Sequence, residues 1–330
     1  SLILAEANPG AKIVGVDISA NSIELAKQRL QYHGFDNAQF HVCRIEDLPS
    51  LGLKFDYINC DDVLYLLSEP AMGLQAMKSV LKPDGIIRVN LHSSLQRTYY
   101  YRAQEVFKMM GLMDENPEDL EIDLVRDTMN ALKDQVKLKA YTWSSALEAD
   151  PERILMNLLF QGDKGYTIPE TFAAIHKAEL EFISMVNWRQ WNLMELFKEP
   201  DDLPVFLAMS LPEISIEEQL TLFELLHPVH RLLDFWCGHP QQGADFIPVA
   251  EWELSDWKTA QIHLVPQLRT PVIKQELLKS ISQLNTFEIS QYLPIPEKHV
   301  SIDSTVAACL LPLWEAPQSM HTLVMHWQKL

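Results

Sequence analysis

The stretch Lys12–Ser19, KIVGVDIS, decides the fold. Ile13, Val14 and Val16 make a short β-branched run of the kind found in buried parallel strands. The run ends on Asp17, and Ile18-Ser19 lead into a helical pattern. In a doubly wound α/β sheet, ligands sit beyond the carboxyl ends of the strands, where an acid accepts both hydroxyls of an adenosine ribose. An acid after an apolar run is equally a helix cap or turn residue. The stretch alone leaves both readings open.

The alternation continues on either side of it. Leu2–Ala7 reads as the end of a helix stopped by Asn8-Pro9-Gly10. Asn21-x-x-Glu24 has the form of a capping box, followed by an apolar stripe of Ile23, Ala26 and Leu30 that Gly34 closes. Ala38–Cys43 and Phe55–Cys60 read as strands, the second entering Asp61-Asp62. Ser68–Leu81 is a predicted helix with Ser68 as its cap, Lys82–Gly85 a turn, and Ile86–Leu91 the next strand. Strands and helices alternating at this length predict a doubly wound, mostly parallel sheet.

After Ser94 the pattern changes. Three tyrosines, Tyr99 to Tyr101, precede Val106, Met109, Met110 and Leu112 at helical spacing, a stripe that reads as core. Thr167–Lys177 is then a predicted helix, Glu181–Asn187 a strand and Val205–Leu211 a further edge strand. From Glu217 a long helix is expected to carry Leu220, Phe223 and Leu226 and, past Pro228, Leu232, Leu233 and Trp236. The remainder alternates short strands (Phe246–Trp252) with helices (Val272–Leu284 and Thr305–Leu311).

Composition narrows the function classes. A net charge of −18 over 330 residues argues against a nucleic-acid backbone as the main partner. It favours a basic acceptor surface through steering. No apolar run reaches the roughly 18 residues of a membrane span. Cys43, Cys60, Cys237 and Cys309 are scattered, which suits reduced thiols in a cytoplasm better than a disulfide framework. His227-x-x-His230 with Cys237 and His239 matches no zinc spacing, so no metal is expected.

The series VDIS (Val16–Ser19), IEDLP (Ile45–Pro49), FDYINCDDVLYLLSEP (Phe55–Pro70) and LKPDGIIRVN (Leu81–Asn90) resembles the class I S-adenosylmethionine-dependent methyltransferases. The resemblance covers about residues 1–95 and, more loosely, 165–190. It implies a Rossmann-like fold, S-adenosyl-L-methionine as cofactor, and transfer of a methyl group to a protein side chain or small molecule. By the same resemblance Asp17 holds the ribose hydroxyls and Ile18 packs on the adenine. The loop with Ile45, Glu46 and Asp47 faces the adenine edge. Arg44 replaces the family's usual acid there, so either Glu46 or Asp47 substitutes for it or only the Ile45 backbone N–H reads the ring. Cys60 and Asp61 line the methionine end. On the acceptor side, near the strand ends, the candidates are Asp62, Tyr65, His92 and Tyr99.

The resemblance also implies an absence. The family's first strand and Gly-rich loop precede the point where this chain starts, so the sequence is expected to be a fragment of a longer natural chain. The expected organisation is an α/β methyltransferase domain over 1–95 and 165–211 without its first strand. A helical insertion or lid occupies 96–164, and an α+β C-terminal accessory domain occupies 212–330. Residues 97–330, with LHPVHRLLDFWCGHP at Leu226–Pro240, more faintly resemble the accessory regions of bacterial protein-lysine methyltransferases. The alternative to an enzyme is a non-catalytic, methyltransferase-like scaffold that binds a partner protein through its C-terminal half.

Overall fold

The computed structural model describes residues 2–8, 10–35, 38–199, 203–242, 249, 252–265, 268–293 and 300–329. It divides into two compact units, Ser1–Ala244 and Asp245–Leu330.

In the first unit, helix α1 (Leu2–Ala7) precedes strand β1 (Ile13–Asp17), helix α2 (Ala20–Tyr32) and strand β2 (Ala38–Val42). β1 and β2 pair in parallel with Gly15 opposite Phe40. A Cβ on Gly15 would stand 2.5 Å from the Phe40 ring, so the glycine lets that ring lie across the ladder. Ala5, Ile13 and Leu30 close a small core there. Ser19, rather than Asn21, caps α2: its hydroxyl accepts from the Ser22 N–H at 3.2 Å. The serine lies just outside the helix in extended backbone, where a cap must sit.

The main sheet has the order β3 (Phe55–Cys60), β4 (Leu81–Ser93), β7 (Leu232–Gly238), β6 (Glu181–Met185), and β5 (Gly165–Tyr166) pairs with the end of β4. β3, β4, β5 and β6 run in one direction, while β7 is antiparallel to both its neighbours. Among the described residues, β1 pairs with β2 alone and β3 with β4 alone. Val16 nevertheless packs on the core of the main sheet. Opposite Asp56 the register slips: Phe55 faces Leu81 and Tyr57 faces Ile86. Lys82–Gly85 thus bulges out of β4, and the Lys82 ammonium reaches both Asp56 oxygens at 2.8 Å. Helix α3 (Pro70–Val80) lies between β3 and β4 in the chain; its N-cap is Glu69, without a side-chain bond, and not Ser68. Pro70 needs no N–H partner at that first position.

Helices α4 (Thr98–Met109), α5 (Asp119–Ala131), α6 (Lys137–Thr142), α7 (Ser145–Glu148) and α8 (Pro151–Leu158) share their own core of Phe107, Ile122, Val125, Met129, Ile154 and Leu158. Of the expected stripe, Leu112 packs against this core, while Val106, Met109 and Met110 lie outside it, Met109 being 80% exposed. The face that packs inward carries Ala103 and Phe107 instead. Helix α9 (Ile168–Lys177) follows β5 with a complete capping box between Thr167 and Glu170.

Two segments differ from the sequence pattern. Val205–Ser210 is a helix, α10, and not an edge strand. Pro204 stands at its N-cap, and leucine, alanine and methionine are good helix formers. The long helix expected from Glu217 ends early. Helix α11 (Ile216–Leu226) stops before Pro228, and Leu232–Gly238 becomes β7. Leu233, Phe235 and Cys237 are fully buried at period two, so the strand spacing wins over the helical one. The accessory domain was expected to begin at 212; β7 belongs to the main sheet, and the first compact unit runs to Ala244.

The second unit contains α12 (Leu254–Thr259), β8 (Gln261–Ile262), α13 (Pro271–Ser282), β9 (Phe287–Glu288), β10 (Ser301–Ile302), α14 (Ser304–Leu310), β11 (Gln318–Ser319) and α15 (Met320–Trp327). β8 with β11 and β9 with β10 form short antiparallel ladders. Leu264, Ile273, Leu277, Phe287, Leu313 and Leu323 build its core. The strand expected over Phe246–Trp252 lies outside the described residues save for Val249 and Trp252. Among the described residues, no helix is long and apolar enough to cross a membrane.

Candidate functional site

Asp17 ends β1 as an exposed carboxylate. Its Oδ1 accepts the Ser19 N–H at 2.8 Å, and its carbonyl accepts the Cys43 N–H at 3.1 Å. The turn uses one oxygen of a group with about four acceptor positions, so capping and ligand binding are compatible. Ile18 beside it is 71% exposed. Ile45 opens a 3-10 turn over Ile45–Leu51 and rests on the main core. Glu46 is half-buried and lies 3.6 Å from Arg44 Nε, while Asp47 is exposed.

A second group gathers at the ends of β3 and β4. Cys60 is buried, and burial followed by the charge of Asp61 pushes its thiol up to about 12. A thiol held neutral in this way is no nucleophile. Asn90 is buried on β4 and bridges the next two acids. Its Nδ2 donates to Asp61 Oδ1, and its Oδ1 accepts the Asp62 N–H at 2.9 Å. That second bond supports a left-handed Asp62, φ 53°, a strained conformation for a side chain of this kind. Arg88 closes the group with two bonds to Asp234, of 3.1 and 2.6 Å, and stands 3.9 Å from Asp61.

The third group is built around His92. Its ring stacks on Tyr65 at 3.8 Å between centroids. His92 Nδ1 lies 2.7 Å from Asp163 Oδ1, and Arg231 Nη1 lies 2.9 Å from His92 Nε2. A guanidinium only donates, so Nε2 must accept and Nδ1 must carry the hydrogen toward Asp163. Asp163 also accepts from Arg97 Nη2 at 2.8 Å, Gln104 Nε2 at 3.1 Å and Tyr101 Oη at 3.4 Å. Arg231 Nη2 reaches back to within 3.6 Å of Asp62, which links the second and third groups. Beneath them the buried Glu224 accepts Ser93 Oγ at 2.6 Å and the Ile168 N–H at 3.2 Å, which ties the end of β4 to α9.

Two glycines place Asp163. Gly162 has φ 81°, and a Cβ on Gly165 would stand 2.6 Å from both Ser94 Cα and the Tyr101 ring. The loop can approach β4 only without a side chain there.

Burial, together with the Arg97 and Arg231 guanidiniums, lowers the His92 pKa below its ordinary value against the opposing hydrogen bond and charge of Asp163. A histidine kept neutral by folding stabilises the fold above its unfolded pKa of about 6.5, and that contribution is lost as pH falls below it. Between pH 7.5 and 5.5 the stability of the first unit is expected to decline more steeply than in His92→Asn. The excess is at most about 1.4 kcal/mol per pH unit for one proton. Hydrogen exchange of the β4 amides measures it, and equal slopes in the two proteins refute it.

The structure thus brings Asp62, Tyr65 and His92 together, with Asp61 next to them. Tyr99 lies elsewhere: it stacks on Tyr141 at 4.3 Å, and Tyr101 is the tyrosine that faces Asp163. Asn90, Arg97, Asp163, Glu224 and Arg231 are absent from the sequence reading. A usable signal existed for one of them, since Gly162-Asp163-Lys164-Gly165 holds an acid between two glycines. His230 stacks on Trp191 at 4.4 Å and bonds the Gln190 carbonyl at 3.1 Å. A mostly apolar cavity of about 720 Å³ lies along β6, lined by Phe182, Met185, Trp191, Leu207 and Leu220.

A family profile described as a methyltransferase domain matches residues 1–167. The chain belongs to that methyltransferase family. An uncharacterized protein of Synechococcus sp. is 26% identical to this methyltransferase chain over 260 residues, 77% of the chain and 59% of the relative. A ubiquinone biosynthesis O-methyltransferase of Haemophilus ducreyi is 30% identical over 99 residues, 28% of the chain and 40% of the relative. The structure of PKMT2 from Rickettsia typhi in complex with AdoHcy matches at a TM-score of 0.59 and 20% identity, over 99% of the chain and 63% of that protein. The chain therefore spans less than two thirds of the length of each. The structural likeness supports the fold class: α/β, mostly parallel and Rossmann-like.

Proposed function

We propose that this chain carries the ribose-side and acceptor-side parts of an S-adenosylmethionine-dependent methyltransferase acting on a protein side chain or a small molecule. The reading is carried by Asp17, an exposed carboxylate at the carboxyl end of a parallel strand within the matched methyltransferase region. Asp17 would hold the ribose hydroxyls and Ile18 the adenine face. Ile45, Glu46 and Asp47 would take the adenine edge, and Cys60 and Asp61 the methionine end. The cofactor supplies a methyl group on a cationic sulfur, and its transfer depends on alignment and exclusion of water more than on acid–base strength. The net charge of −18 weighs against a nucleic-acid acceptor. The cysteines Cys43, Cys60, Cys237 and Cys309 are all free thiols, in keeping with work in the cytoplasm.

Calorimetric titration of the full natural protein with S-adenosylhomocysteine tests the reading. Binding is expected, and Asp17→Ala should weaken it about 10- to 100-fold. That is the loss of charge-assisted hydrogen bonds worth about 1.5–3 kcal/mol. A folded protein that binds none would return the chain to the scaffold alternative.

A further inference from the structure

We propose that His92 Nε2 takes the proton of the methyl acceptor, with Asp163 as its positioning residue and Arg231 as a displaceable cover. The inference rests on the proposed methyltransferase reading and deepens it: the acceptor is a group that becomes nucleophilic only on losing a proton.

Three observations carry it. His92 is already fixed for the task, because Asp163 holds Nδ1–H at 2.7 Å and the stacked Tyr65 holds the ring plane. A base oriented by a carboxylate on its far nitrogen stays in one tautomer and spreads the charge it gains. Asp163 is itself anchored by Arg97 and Gln104 from the α4 side, so the pair does not depend on solvent. Finally, Nε2 points away from this anchor, toward a residue of different character. The Arg231 side chain is half-exposed, and its other contact, Asp62, is also half-exposed. Arg97 is built in, whereas Arg231 can move aside at small cost.

The step balances in atoms and electrons. The acceptor X–H gives its proton to Nε2 and keeps the bonding pair. That pair forms the X–C bond as the C–S bond breaks, and its electrons stay on sulfur as a thioether. His92 leaves the step as an imidazolium against Asp163 and returns its proton to water. Arg231, freed from Nε2, remains close enough to lower the pKa of the X–H group. That effect favours a phenolate and a neutral amine alike. The charged and titratable groups around His92 are Asp163, Arg97, Arg231, Tyr65 and Tyr101, with Asp62 behind Arg231 and Glu224 behind Ser93.

The test joins spectroscopy of His92 to methyl transfer, on the full natural protein with S-adenosylhomocysteine binding as the control. Nitrogen-15 NMR of labelled histidines, assigned by difference with His92→Asn, should show His92 neutral with the hydrogen on Nδ1. In Arg231→Gln its titration should move upward in pH, because a neighbouring cation is gone. Transfer is then followed to two probes, catechol as the phenol and Nα-acetyl-lysine amide, with its ε-amine free, as the amine. One of them is expected to be methylated, with an acid limb that Arg231→Gln moves in the same direction. His92→Asn keeps an N–H for Asp163 and should lower transfer about 10²-fold or more, with the S-adenosylhomocysteine affinity within about threefold.

A hydrogen on Nε2 overturns the proposal, as does transfer in His92→Asn within about threefold of the parent. Binding of S-adenosylhomocysteine without transfer to either probe also overturns it, and leaves the cofactor reading standing. Loss of that binding in the parent protein removes the cofactor reading itself.

Discussion

Asp163→Ala is expected to destabilise the first unit by about 3–5 kcal/mol, the cost of leaving a buried charge without its partner. The charge in question is Arg97, 1% exposed. Asp163 supplies its 2.8 Å ion pair, and what remains is a 3.3 Å bond to Asn157 and the Tyr100 and Tyr101 rings at 5.1 and 5.5 Å. The Arg97 Nε already lacks a partner among the described residues. Ring contacts of this kind contribute about 0.5–2 kcal/mol and do not replace a carboxylate. The direction of the Asp163 pKa agrees. Burial alone would raise it, yet the His92 hydrogen bond and the Arg97 charge outweigh burial and lower it.

Hydrogen exchange of amides in β4 and α4 reads the loss. Replacing both partners, Arg97→Met with Asp163→Leu, should recover only part of it: no buried charge is left, but the His92 Nδ1–H and the Tyr101 hydroxyl lose their acceptor. A single substitution costing under about 1 kcal/mol would mean that Arg97 is hydrated in the folded protein, contrary to its burial.

The second large effect belongs to Phe235→Ala, expected to cost about 3–5 kcal/mol through lost burial and the cavity left behind. Phe235 is fully buried in β7, opposite Val89 of β4 and Met185 of β6, in the layer that joins the two halves of the main sheet. The neighbouring Trp236 is half-buried, with its ring 5.9 Å from Tyr57. Trp236→Ala should therefore cost less, although the side chain is larger. The contrast separates the two readings of Leu232–Gly238. On a helix continuing from Glu217, position 236 would face inward with Leu232 and Leu233, and the order of the two losses would reverse. Chemical denaturation of both variants, followed by exchange of β4 and β6 amides, decides between them.

These two residues show where local pattern stops being informative. LLDFWCG fits a helix through Leu232, Leu233 and Trp236, and a strand through Leu233, Phe235 and Cys237. Seven residues are too few for periodicity to choose. The choice is made by β4 and β6, whose backbone groups on facing edges need partners that only an inserted strand supplies. Val205–Ser210 goes the other way: no ladder claims it, and Pro204 with the helix formers that follow takes it into a helix.

The sequence by itself determined the strand–helix alternation from Ile13 to Ser93, the acid that ends β1, the acids that follow β3, and the mostly parallel character of the sheet. Each of these is set by residues within a few positions of one another, through side-chain shape, capping and turn chemistry. What the tertiary structure alone decided is the surroundings of the site. Asp163 meets His92 across 71 residues, and Arg231 meets it across 139. No local preference encodes such pairs; they follow from the stacking order of β5, β4 and β7, which is fixed by burial and backbone pairing of the whole sheet. KIVGVDIS named the ribose candidate, and the folded sheet brought His92, Asp163 and Arg231 together.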